Sequence, residues 1–267
     1  MRRAPAVAGR FYPARPAELR RELENYLQPV TPREKAIGCV VPHAGIMYSG
    51  HVAGAVYSRL EPAPTYIILC PNHTGYGSPL AILSEGEWET PFGDVPIEAG
   101  LASELKKAYP RLEEDADAHR FEHSLEVQLP FLQFLQADFR FVPIALGVGR
   151  YEPLEELGRA IAEVIRSARK RPLIIASSDL NHYESDSVNR RKDHLAIDRI
   201  LALDPRGLYD TVHREDISMC GFGPTVAMLT AARALGASQA ELVRYANSGD
   251  ITGDRSQVVG YAGILIR

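Results

Sequence analysis

The chain has 267 residues, with 30 Lys and Arg against 34 Asp and Glu, a formal charge of −4 and 45% hydrophobic residues. These proportions suit one large globular core, and the mild acidity excludes the basic face that a nucleic-acid partner needs. Three cysteines cannot build a disulfide framework and point to a reducing, cytoplasmic setting; no apolar run reaches the ~18–20 residues of a membrane span, and the N-terminal MRRAPAVAGRFYP lacks the apolar stretch of a secretory signal.

Leu19, Leu23 and Leu27 recur every four residues and predict a first helix over 16–28. A short apolar run, 37–41, then ends in Pro42-His43-Ala44-Gly45. A helix is expected over 51–60, and a second apolar run, 66–70, ends in Pro71-Asn72-His73. The segment His123-Ser124-Leu125-Glu126 reads as helical, which would put His123 and Glu126 on one face. A third apolar run covers 139–146. Leu154, Leu157, Ile161 and Ile165 stripe an amphipathic helix. The fourth run, 173–176, ends in Ser177-Ser178-Asp179-Leu180-Asn181-His182. Helices over 189–203 and 224–235 and strands over 240–245 and 258–266 complete the chain.

Alternating strand-like runs and helices predict an α/β fold in a single domain spanning 1–267. Its central sheet is mixed but mostly parallel and is flanked by helices. In open α/β sheets, ligands bind outside the carboxyl ends of the strands. Three of the runs lead into turns bearing His43, His73, and Asp179 with His182. If those strands are neighbours, the turns face one another. Cys220 lies in the glycine-rich turn Met219-Cys220-Gly221, just before a helix whose dipole favours a thiolate. Two or three imidazoles with one thiolate suit Zn(II), Fe(II) or copper.

The remaining candidates have plainer readings. Cys39 and Cys70 sit inside apolar runs as small core residues. His119, His194 and His213 lie among charges, as solvated side chains do, and His51 reads as a surface or capping residue. Asp179 can cap a turn, and Glu126 can be an exposed helix residue.

Taken together, Ala6–Pro13, Pro42–Gly50, Pro71-Asn72-His73, Trp88–Gly93, His123–Pro130, Ser177–Tyr183, Cys220-Gly221 and Gly260–Gly263 resemble the Memo family over nearly the whole chain. That family is similar in fold to the non-haem iron, class III extradiol ring-cleaving dioxygenases. The resemblance implies a metal held by His43, His73 and Cys220, with Cys220 in place of the carboxylate of the usual non-haem iron triad. It puts His182 in the same pocket; His182 is expected to act as acid/base, with Asp179 orienting it or polarising the pocket, and His123 and Glu126 as partners that orient the ligating imidazoles.

The expected activity is that of an iron- or copper-dependent oxidoreductase. A zinc hydrolase and a non-catalytic metal- or peptide-binding protein are the alternatives. The expected partner is a small molecule or peptide in the pocket, with neither nucleic acid nor membrane. A functional link to a radical-SAM protein is implied by the grouping of prokaryotic relatives.

Overall fold

A computed structural model describes residues 1–267. The main sheet has nine strands, and four central ones run parallel in the order Gly38–Val41, Leu173–Ser177, Thr65–Pro71, Arg140–Leu146. These are the four apolar runs. They are almost wholly buried because helices cover both faces of the sheet, so neither face calls for polar alternation. Val258–Ile266 pairs antiparallel with Gly38–Val41, and Ala240–Asn247 and His182–Glu184 pair with it in turn. On the opposite flank Leu80–Ile82 lies antiparallel to Arg140–Leu146. A separate three-stranded sheet joins Arg2–Arg3, Glu87–Thr90 and Gly93–Pro96.

Period-two alternation divides the core into two layers. Val40, Leu69, Ile144 and Ala176 face helices Tyr151–Ser167 and Phe222–Ala234, where the Leu154/Leu157/Ile161/Ile165 stripe is buried as its spacing predicts. Cys39, Val41, Ile68, Cys70 and Ile175 face helices Pro16–Tyr26, Ile46–Arg59 and Gln128–Leu135. Cys39 and Cys70 are therefore core residues, and no disulfide forms.

The helix expected over 51–60 begins at Ile46. Gly50 and Gly54 are contact points between helices. A Cβ would lie 2.6 Å from the Tyr26 ring at Gly50 and 2.4 Å from the Tyr26 carbonyl at Gly54.

Register decides what the site can contain. Val40 lies opposite Ala176, and Ala176 opposite Leu69, so three adjacent strands end in one row. The turns after them start side by side at the carboxyl edge of the sheet.

Candidate metal centre

His43 follows the Gly38–Val41 strand and is buried. Its Nδ1 lies 2.9 Å from Ser177 Oγ. The Ser177 hydroxyl gives its one proton to the Ser124 carbonyl, 2.6 Å away, and accepts from Gln128 Nε2 at 2.8 Å. Gln128 Nε2 also donates to the Pro42 carbonyl, while its Oε1 accepts from Tyr57, so its amide is fixed. Ser177 can therefore only accept from His43, which makes Nδ1 the protonated nitrogen and leaves the Nε2 lone pair free.

His73 follows the Thr65–Pro71 strand, and its Nδ1 donates to Glu122 Oε1 at 2.9 Å, so that in its neutral form the lone pair is likewise on Nε2. Burial alone would raise Glu122. The hydrogen bond and charge of His73, with two hydrogen bonds from Ser124, outweigh it and hold Glu122 at about 2.

The third imidazole is His123. One ligand atom from each of His43, His73 and His123 lies within 4.8 Å of the others. The His73 and His123 rings stack with centroids 4.7 Å apart, and His43 meets both edge-on at 5.3 and 5.5 Å. Burial lowers His43 well below the usual histidine range, with the neighbouring imidazoles adding to it, and brings His123 to about 4. At neutral pH both are uncharged, the form that binds metal.

The helical reading of 123–126 does not hold. The regular helix starts at Gln128, and the preceding residues form turns. The side chains of His123 and Glu126 consequently diverge. His123 lines the pocket, whereas buried Glu126 accepts from Arg3, Tyr12 and the backbone of Ala6 and Val7. The carboxylate that orients a candidate ligand is Glu122. Among so many charges the sequence does not distinguish it from a solvated acid; its one signal is that it directly precedes His123.

Cys220 Sγ lies 3.2 Å from His43 Nε2 and 3.7 Å from the Asp179 carbonyl. It touches the three-histidine group without belonging to its tight set. The thiolate expected from the helix dipole is overridden, because burial and then the Asp179 charge push the thiol well up. The single thiol proton thus faces two acceptors, the lone pair of His43 Nε2 and the Asp179 carbonyl.

Asp179 accepts from the backbone N–H of His43 at 2.8 Å, and less closely from Ala44, so it shapes the turn that carries His43. Burial raises its carboxyl, against the pull of that His43 N–H. His182 is oriented by Ser218: its backbone N–H donates to Ser218 Oγ at 2.8 Å, and its Nδ1 to the Ser218 carbonyl at 2.9 Å. A carbonyl can only accept, so Nδ1 of His182 carries a proton, and in the neutral ring the lone pair is on Nε2.

These side chains, with Phe11, Val259 and Tyr261, line one cavity of about 610 Å³. His51 is half-buried, and His194 and His213 lie outside the cavity. His119 contradicts its solvated reading. It is fully buried against Trp88, 5.7 Å between ring centroids, and neither ring nitrogen has a partner.

The family model described as Memo-like protein matches residues 3–265. MEMO1 family proteins of Methanosarcina mazei and Archaeoglobus fulgidus are each 46% identical to the chain over 99% of its length, covering 98% and 99% of their own. One from Methanopyrus kandleri is 44% identical over all of the chain and 99% of its own length. Among solved structures, an uncharacterized Escherichia coli K12 protein superposes with a TM-score of 0.54 at 13% identity, over 85% of this chain and 98% of that one, a likeness of fold. No helix is long and apolar enough to cross a membrane.

Proposed function

Given that the chain belongs to the Memo family, we propose that His43, His73 and His123 hold one first-row divalent metal and that the protein is a metal-dependent oxidoreductase acting on a small molecule. The observation that carries this reading is the convergence of three imidazole donors within 4.8 Å, at the carboxyl edge of a parallel sheet. The donor set fits the group: hydrogen bonds already occupy Nδ1 of His43 and His73, leaving Nε2 of each as the donor atom. Cys220 is close enough to add a soft ligand, which favours iron or copper chemistry over a purely oxygen-liking ion. A bound Fe(II) or copper supplies redox chemistry.

The remaining roles fall to the protein. His182, with Nε2 unprotonated, takes a proton from a substrate hydroxyl, and Ser218 holds its ring in place. Asp179 keeps His43 in position through the backbone. Phe11, Val259 and Tyr261 give one wall of the pocket an apolar surface, and its volume suits a small molecule.

A second reading rests on the donor set itself. Three neutral imidazoles are a catalytic zinc set, and zinc lowers the pKa of bound water to about 7, as in metal-dependent hydrolases. Anaerobic purification without chelators, followed by metal analysis and Fe(II) reconstitution, separates the two. Oxygen uptake with a panel of small aromatic diols, abolished by His123→Ala, is the expected result. Stoichiometric zinc with no oxygen uptake under any loading refutes the oxidoreductase reading.

A further inference from the structure

Glu126 belongs to the motif that carries His123, yet it has no contact with the histidine centre. It is fully buried and accepts four hydrogen bonds, all from the first twelve residues. These come from Arg3 Nη1 at 2.6 Å, Ala6 N at 2.7 Å, Val7 N at 3.0 Å and Tyr12 Oη at 2.6 Å.

Arg3, itself buried, binds in the reverse direction. Its Nε donates to the His119 carbonyl at 2.7 Å and its Nη2 to the Glu122 carbonyl at 2.6 Å, while its guanidinium stacks on Trp88 at 4.0 Å. The pair thus locks the N-terminal segment to residues 119–126, the stretch that presents Glu122 and His123 to the pocket.

The far end of the N-terminal segment reaches the pocket too. The Phe11 carbonyl accepts from Ile46 N at 2.8 Å, at the start of the helix after His43, and the Phe11 ring lies 4.7 Å from that of His123. A buried ion pair is a poor source of stability, since well-packed apolar residues serve as well or better. Its geometric strictness is what an apolar replacement lacks: Arg3 reads two carbonyls and a carboxylate of the 119–126 segment at once, besides the Ala4 carbonyl beside it.

We infer that the buried Arg3–Glu126 pair, with Tyr12, is a positioning device for the histidine centre, setting Glu122 and His123 against His43 and holding Phe11 as a wall of the pocket. The inference rests on the metal-site reading above. None of the three residues touches the metal position, and each acts through the 119–126 segment or the N-terminal segment.

The test compares wild type with Glu126→Gln, Tyr12→Phe and the double variant Arg3→Met/Glu126→Gln, using Co(II) as the probe metal. Circular dichroism gives the thermal midpoint, and titration gives Co(II) affinity and the visible absorption bands. Removing both charges together is expected to restore much of the midpoint lost by Glu126→Gln. Co(II) affinity should still fall about tenfold, the lower end of what outer partners of metal ligands contribute, with shifted bands. Tyr12→Phe, which deletes one hydrogen bond, should shift the bands in the same direction by less.

A Val164→Ala core variant should lose stability with Co(II) affinity and bands unchanged. Folded clasp variants that bind Co(II) with wild-type affinity and bands overturn the inference. If wild type takes up no Co(II), the metal reading falls, and the clasp is then judged on the metal-free protein. Displaced ring-nitrogen NMR signals of His73 and His123 in Tyr12→Phe and the double variant uphold it, and unmoved signals overturn it.

Discussion

Glu122→Gln is the most exacting perturbation of the site, because the wild-type carboxylate is saturated with donors. Oε1 accepts from His73 Nδ1 at 2.9 Å, Ser124 N at 2.9 Å and Ser124 Oγ at 2.7 Å, while Oε2 accepts from His73 N at 2.6 Å. An amide must turn its NH2 toward at least one of these buried donors, a mismatch of about 1–3 kcal/mol that a protonated carboxyl shares and that the pKa shift already contains. The carboxyl stands at about 2 in the folded chain against an ordinary 4.5. At ~1.36 kcal/mol per pH unit, ionised Glu122 therefore contributes on the order of 3 kcal/mol.

The sign follows from the direction of the shift. Below the ordinary value the unfolded chain binds the proton first, so the contribution is complete above about pH 5 and lost as pH falls toward 2. Urea unfolding of metal-free wild type and Glu122→Gln should differ by about 3 kcal/mol at pH 7 and at pH 5.5, with the gap narrowing by more than ~1 kcal/mol at pH 3.5. A gap under about 1 kcal/mol at pH 7, or one that stays constant down to pH 3.5, refutes the reasoning. The same variant should lose about 10–100-fold in metal affinity, because His73 no longer has a carboxylate to fix its tautomer.

Other outcomes follow from particular contacts. His119→Phe should stabilise the protein by roughly 1 kcal/mol at pH 7, since the buried ring has no hydrogen bonds to lose. Burial, with Arg3 nearby, holds His119 at about 4 against 6.5, so wild type should lose stability as pH falls from 6.5 to 4 more steeply than the Phe variant; parallel pH profiles by thermal melting contradict this. Cys220→Ser should leave the fold intact and weaken Cu(I) binding far more than Fe(II) binding, because the soft ligand beside His43 Nε2 is gone; an unchanged ratio in competition titrations tells against a role for the sulfur. Gly221→Ala places a Cβ 2.3 Å from Ser178 Cβ and 2.4 Å from the Ser177 carbonyl, and so should cost about 1–3 kcal/mol by overpacking and also weaken Co(II) binding; a wild-type melting point shows that the Cys220 turn yields freely.

The fold was largely legible in the sequence because its signals are local. Four short apolar runs at strand length suit strands covered on both faces, and all four form the parallel heart of the sheet. The four-residue leucine repeat and the Leu154–Ile165 stripe bury as periodicity requires. Placement at strand ends also singled out His43, His73, Asp179 and His182, and a glycine-rich turn before a helix singled out Cys220; all five line one cavity.

Which atoms meet in that cavity was decided only by tertiary structure. His123 joins His43 and His73 in the tight set while Cys220 stands beside it, and Glu122 rather than Glu126 orients an imidazole. The reason is that residues 121–127 are irregular, with turns over 124–127, rather than a regular helix. A helix would place side chains three apart on one face. In turns each residue's dihedral angles set the direction of its own side chain, and those angles follow from long-range partners. Here the partners are Arg3, from the N-terminus, and Ser177, from the end of the central strand Leu173–Ser177. Strand runs are written in consecutive residues, but the strand order that brings three turns together, and the buried pair that aims the fourth segment at them, depend on contacts more than a hundred residues apart.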